Sequence, residues 1–309
     1  MAFVGGAALV SPGERCAMWV LIDDGEVARF GPALALADSR GAASLDVLVE
    51  EAVPGAAGVI ARRAEEMASP PGVWTLSGRE IERSAPAGVP DISEVAGDSG
   101  DAEYVGLLAA HGIEPVFEHG VLRGEVLGLE VARVIGGDLV VGVGRHDRNA
   151  RLEMRPGEDI GAALDEAAAA VRARRRPGVT RHPANTLARS RWLRAVVCAR
   201  PSLVGADVLT VVAPPMPWFD LPEAGAAPCV GVLAGGDPVV VVCSVGIDLD
   251  LVPTAADCRV LYRPAGRLIL AVPHGDDAPV NRRLAAALAR PAEVVTVPRD
   301  WEALPDGVP

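Results

Sequence analysis

With 309 residues, half of them apolar and 23% charged, the chain has enough apolar material for a substantial core, as one large domain or two of medium size. All 29 basic residues are arginine and there is no lysine, which excludes a P-loop lysine, a pyridoxal Schiff base, a Ser-Lys dyad and a nuclease-type Glu-x-Lys triplet. The net charge of −12 argues against a protein that coats nucleic acid non-specifically.

Ala2 to Val10 is apolar but follows no basic residue and is interrupted by glycine, so it does not read as a signal peptide. Met18 to Ile22 predicts a strand, ending at Asp23-Asp24-Gly25, and Val27, Phe30 and Leu34 then fall at helical spacing. Leu45 to Val49 predicts a second strand, closing at Glu50-Glu51. The next helix has Pro54 near its start and carries Val59, Ile60, Ala64 and Met67. Pro70-Pro71 ends it before a third strand, Val73 to Leu76. The order βαβαβ implies parallel pairing through crossovers.

Ser84 to Asp101 holds proline, glycine, serine and four acids without a base, the composition of a linker or surface loop. A helix near Ala102 to Ala110 leads into alternating apolar and polar positions with glycine turns at Gly120 and Gly136-Gly137, an antiparallel meander. Helices over about Asp159 to Arg176 and Pro183 to Ala199 follow. The last part repeats βαβαβ: Val239 to Val245, a short helix around Pro253 to Arg259, Leu268 to Val272, a helix over Pro279 to Ala289, and Glu293 to Val297. The fold class expected is therefore α/β, with two related βαβαβ units of mainly parallel sheet and a meander between them. The most economical boundary separates 1–155 from 156–309. "GVIARRAEEMASPPGVWTL" beside "VNRRLAAALARPAEVVTV" suggests internal duplication.

Between Ala167 and Ala206 lie nine arginines, His182 and no acid, so the rest of the chain carries −21 against the −12 of the whole. Such a segment is an anion-binding stripe, an internal seam docked on acidic surface, or a solvated helix face. Five cysteines, odd in number and never in a C-x-x-C pair, read as reduced core thiols of a cytoplasmic protein. No apolar run reaches the roughly 18 residues that span a bilayer.

Ligands of parallel α/β sheets bind beyond the carboxyl ends of the strands. The acids there include Asp23, Asp24, Glu50, Glu51, Asp248, Asp250, Asp276 and Asp277, beside His274. Convergence of Asp248, Asp250 and Asp276 would make a hard-cation site for Mg²⁺, although aspartate after a strand is also the preferred cap of the next helix. Asp248-Leu249-Asp250 is similar, over these few residues, to the strand-end pair of haloacid-dehalogenase-like phosphatases. The lysine of that family is absent here, and Leu251 stands where a small residue is usual. In the meander, period-two reading puts Glu130 on a face with Val126, Gly128, Ala132 and Val134, while Arg123, Glu125 and Arg133 point the other way. An acid so placed has a raised pKa or an arginine partner. Gly124 and Gly128 leave room for a ligand or a packed element to approach the backbone closely. Glu118-His119 and the run Arg145-His146-Asp147-Arg148 add proton-transfer and anion-binding groups at strand ends.

Two function classes fit. The first is a Mg²⁺-dependent hydrolase acting on a phosphate-bearing substrate, a nucleotide or nucleic acid. Glu130, His146 and Asp147 would serve acid–base chemistry, Arg145, Arg148, Arg181 and Arg189 would hold the anion, and the three aspartates the metal. The second is a non-catalytic interaction or scaffold protein whose charged surfaces seat a partner or a second subunit. Gly142-x-Gly144 lacks the rest of a dinucleotide fingerprint and the five histidines lack paired zinc spacing, so neither NAD nor structural zinc is expected.

Overall fold

Strands form where apolar residues alternate with half-exposed ones, as at Ser44–Glu50, where Leu45, Val47 and Val49 are buried and Asp46 and Leu48 are not. The computed structural model describes residues 2–3, 6–11, 16–50, 53–91, 101–144, 147–148, 157, 159–176, 183–216 and 225–303.

The first sheet runs β1 (Ala2–Phe3), β2 (Gly6–Ser11), β3 (Ala17–Ile22), β4 (Ser44–Glu50), β5 (Gly72–Ser77) and β6 (Glu80–Arg83), in that spatial order. β3, β4 and β5 pair in parallel, and the outer pairings are antiparallel. Helices α1 (Phe30–Ser39) and α2 (Ala56–Glu65) make the two crossovers. After α3 (Ala102–Ala110) comes the expected meander, β7 (Glu114–Glu118), β8 (Val121–Val126), β9 (Leu129–Ile135) and β10 (Asp138–Val141), antiparallel throughout. α4 (Ile160–Arg174) packs on it through Ala163, Leu164, Ala167 and Val171. Asp159 caps that helix, its Oδ1 accepting from Ala162 N at 2.8 Å.

The single helix expected over Pro183 to Ala199 is two, α5 (Pro183–Thr186) and α6 (Arg189–Ala199), because Ala188 adopts a left-handed φ of 47°. The second sheet follows as β11 (Ala206–Val211), β12 (Ala227–Leu233), β13 (Pro238–Cys243), β14 (Arg267–Pro273) and β15 (Glu293–Val297). α7 (Leu251–Tyr262) and α8 (Pro279–Ala286) connect its parallel strands β13, β14 and β15.

Both sheets are mixed, which corrects the expectation of mainly parallel ones. The antiparallel strands β1, β2, β6 and β12 escape the apolar pattern because they are short, edge-lying or interrupted. In β12, Pro228 and Gly231 break the β-forming run; Gly231 is required there because a Cβ would overlap the Val208 carbonyl.

The two sheets share an element order, with an antiparallel neighbour preceding three parallel strands joined by two helices. Their four helices face each other. Met18, Val20 and Val47 from one sheet and Val240, Val242, Leu268 and Leu270 from the other enclose them in one continuous core. Met67, after α2, forms an antiparallel bridge with Leu288, after α8. Its hydrogen bonds are reciprocal: Ala68 N donates to Ala287 O at 2.9 Å and Ala289 N to Glu66 O at 2.8 Å. The boundary expected near residue 155 lies outside the described residues, and this core draws on both sides of it.

The far face of the second sheet is covered by α6, whose Trp192, Leu193, Val196 and Val197 meet Val239, Val241 and Cys243. This explains why β13 is an unbroken apolar run, since both of its faces are buried. Trp301 packs edge-on against Trp192 at 5.3 Å. All five cysteines are free thiols. Among the described residues, no helix is long and apolar enough to cross a membrane.

Candidate functional site

The meander meets α6 through a buried chain of alternating carboxylates and guanidinium groups. It begins at Glu130 in β9, which takes two hydrogen bonds from Arg133 (2.9 and 2.8 Å), one from Arg123 (3.2 Å) and one from Arg148 (2.6 Å). Arg123 also lies 3.3 Å from Glu118, which receives Arg191 Nη2 at 2.7 Å. Arg191 Nη1 continues to Glu125 at 2.6 Å, and Arg194 Nη2 reaches the other oxygen of Glu125 at 2.8 Å.

Arg123 and Arg133 thus share a face with Glu130, contrary to the period-two reading. Leu127 and Gly128 form a turn with positive φ of 49° and 73°, and the register shifts between Gly124 and Glu125, so facing parity changes between β8 and β9. Burial alone would raise the pKa of Glu125. Arg194 and Arg191 overrule it and hold this carboxyl below the ordinary glutamate value. Glu118 Oε1, Arg123 Nε and Arg194 Nε and Nη1 are buried without hydrogen-bond partners among the described residues.

Both glycines singled out in the meander admit packed elements. Gly124 lies under Leu108 and Ile113, and Gly128 lies against the backbone of Arg191 and Trp192. A Cβ at Gly128 would overlap the Arg191 carbonyl, and its φ is left-handed. Gly128→Ala is therefore expected to lose about 2–3 kcal/mol of stability, read from urea unfolding. A loss under about 0.5 kcal/mol would show that the turn does not fix the docking of α6.

Several other arginines of the segment are also engaged within the chain, while Arg174 and Arg176 are exposed. Arg172 donates to Gly112 O at 2.7 Å. Arg175 donates to the carbonyls of Leu127 and Leu187 and lies over the Trp192 ring. Arg189 pairs with Glu302 and stacks on Trp301, and Arg200 donates to Ala303 O. Two of the residues expected to hold an anion, Arg148 and Arg189, thus bind carboxylates of the same chain. Arg145, His146 and Arg181 lie outside the described residues. Asp147 accepts from Val143 N at 2.7 Å.

A second buried cluster joins α2 to α7. Arg62 grips both oxygens of Asp257 at 2.8 and 3.0 Å; Arg63 reaches Asp257 at 3.3 Å and Asp250 at 2.9 Å. Asp250 further accepts from Thr254 Oγ1 (2.8 Å) and Gly31 N (3.2 Å). Burial works against the charge on Arg63, but Asp250 and Asp257 reverse this and hold its pKa above the ordinary arginine value. Sequence pattern did not find this cluster. Its one signal is a pair of adjacent arginines in an otherwise alanine-rich helix, on which the apolar stripe leaves no fully polar face.

The three aspartates proposed for metal are arranged around the α7 entrance with separate tasks. Asp250 is engaged by Arg63, Thr254 and Gly31. Asp248 Oδ1 accepts from Asp250 N at 2.9 Å, and Asp276 Oδ2 from Gly246 N at 2.8 Å. Among the described residues, no group of three or more His, Cys, Asp or Glu side chains is placed to hold a metal ion. Of the other strand-end acids, Asp24 pairs with Arg29, Asp277 pairs with Arg282, Glu50 is exposed, and Glu51 lies outside the described residues.

Asp248 is pushed up to about 6, first by burial and then by Asp250. A carboxyl raised in the folded state favours folding when protonated, so its contribution falls as pH rises from about 4 through 6. Asp248→Asn, which keeps the accepting oxygen, is expected to gain about 1–2 kcal/mol at pH 7.5 and nothing at pH 4. Thermal or urea unfolding at the two pH values checks it; an equal effect at both would refute the raised pKa.

No protein-family model, curated protein or solved structure matches this chain.

Proposed function

We propose that this chain is a cytoplasmic, non-catalytic interaction protein, built by internal duplication, whose paired sheets form a scaffold that seats a protein partner. The observation that carries this reading is that, among the described residues, the buried acids of the two clusters are held by arginines of the same chain. Glu118, Glu125 and Glu130 are bound by Arg123, Arg133, Arg148, Arg191 and Arg194, and Asp250 by Arg63. Buried pairs of this kind set the register between packed elements. Duplication is supported by the shared sheet order and the reciprocal Met67–Leu288 bridge. Pro32 in α1 and Pro253 in α7 also stand the same number of residues apart as Met67 and Leu288.

The alternative, a Mg²⁺-dependent hydrolase of a phosphate-bearing substrate, is favoured by one observation: the Asp248 carboxyl, near 6, follows the carboxyl end of β13. Thermal unfolding with Mg²⁺ or Mn²⁺, alone and with a nucleotide, separates the readings. The scaffold reading expects an unchanged midpoint; a midpoint that rises with ion concentration, as mass action requires of a bound ion, would replace it with the hydrolase.

A further inference from the structure

A cleft of about 290 Å³ opens at the amino-terminal ends of β14 and β15, where the turn after α7 meets the turn after α8. Arg259, Gly266, Arg267, Arg290, Pro291 and Glu293 stand in its walls. Three arginines and one glutamate thus line a single cleft in a chain whose net charge is −12. The volume is at the lower limit of small-molecule sites, which suits a compact ligand of few atoms.

The chain satisfies these arginines unequally. Arg259, in the last turn of α7, is 1% exposed; its Nη1 donates to Arg290 O at 2.8 Å and its Nη2 to Glu66 Oε2 at 3.1 Å. Its Nε is buried and has no hydrogen-bond partner among the described residues. Arg290 is exposed and donates to the Pro264 carbonyl, and among the described residues no carboxylate pairs with it. Arg267 Nη2 lies 2.7 Å from Glu293 Oε2, but both side chains are more than half exposed, and an exposed pair opens at little cost.

The charges are left out of balance. With Glu66 counted in, three positive groups meet two negative ones. Burial first, and the Arg290 charge with it, hold the Arg259 pKa below the ordinary arginine value against the pull of Glu66. A carboxylate, with one charge and two oxygens, is used up by one guanidinium fork. A phosphate group, with nearly two charges and three free oxygens, engages two forks at once and neutralises both. The acidity of the whole chain disfavours a long polyanion but not a compact one seated among these side chains. Asp248 and Asp276 follow the carboxyl ends of β13 and β14, about 20 Å away along the strands, so the cleft is a separate site.

We infer that this cleft binds a small phosphate-bearing molecule, held by Arg267 and Arg290 above the buried Arg259. The site goes beyond the interaction reading and does not depend on it. Thermal unfolding of the full chain, without divalent ions and at an ionic strength held constant with NaCl, tests it with two probes, inorganic phosphate and glycerol 3-phosphate. The expected result is a midpoint that rises with probe concentration, with an apparent Kd of about 1 mM or below. Arg290→Ala and Arg267→Ala each weaken binding at least about tenfold. Arg282→Ala, which removes an equally exposed arginine from α8 outside the cleft, leaves binding unchanged. Tighter binding of glycerol 3-phosphate assigns the cleft to an organic phosphomonoester, and tighter binding of inorganic phosphate assigns it to the free ion. An unchanged midpoint with both probes overturns the inference. A rise that survives Arg267→Ala and Arg290→Ala, or that Arg282→Ala reduces equally, overturns it as a general charge effect. A rise that requires Mg²⁺ also overturns it, because the phosphate then belongs with the strand-end aspartates.

Discussion

Arg63→Ala is expected to remove about 3–5 kcal/mol of folding free energy, the cost of leaving buried charges without their partner. Arg63 is 3% exposed and bridges Asp250 and Asp257. Arg62 still holds Asp257 when it is gone, but Asp250 keeps only Thr254 and Gly31 N, both uncharged donors. The bridge also runs from α2, attached to the first sheet, to α7, attached to the second. Its removal is therefore expected to loosen the coupling between the two sheets as well as lower the midpoint. Urea unfolding followed by tryptophan fluorescence gives the free energy, and calorimetry shows whether one transition becomes two. A loss below about 1 kcal/mol with a single sharp transition would mean that apolar packing between the helices holds the halves together without this cluster.

Glu125→Gln is expected to cost a similar amount, about 3–5 kcal/mol at pH 7, by taking one charge from between Arg191 and Arg194. This loss depends on pH. The folded pKa of Glu125 lies below its ordinary value of 4.5, so its stabilising contribution is complete above that value and disappears as pH falls through the folded pKa. The deficit of the variant should be constant above about pH 4.5 and shrink as pH falls below it. Measuring stability at pH 3.5, 5 and 7 checks this. A deficit unchanged at pH 3.5 would indicate lost packing rather than lost charge. The dependence is opposite in sign to that of Asp248, so the two substitutions together separate the arginine seam from the strand-end carboxyl.

Much of the element order is legible in the residues. Val73 to Leu76 and Leu268 to Val272 lie within strands, and the glycine turns at Gly120 and Gly136-Gly137 separate the meander strands. Apolar periodicity is local, so it survives without knowledge of the fold. It fails where local pattern is weak: at the edge strands β1 and β6, at β2 beside β1, and at β12, where tight backbone approach requires Gly231. The candidate site was legible in kind but not in partners. The arginine segment can be read as either seam or anion stripe, and an acid on an apolar strand face as having either a raised pKa or an arginine partner. Neither reading says which alternative holds, nor which arginine would pair with which acid.

The sequence by itself determined the absence of lysine chemistry, the α/β class, the central meander and the concentration of arginine between Ala167 and Ala206. These follow from composition and from periods of two and 3.6 residues, which a single segment carries. Only the tertiary structure decided that Glu130 is ringed by Arg123, Arg133 and Arg148, that Arg63 joins α2 to α7, and that α6 covers the far face of the second sheet. Charge pairing depends on distances between elements far apart in the chain. A one-residue shift in register reverses which side chains meet, and no segment contains the information that sets that register.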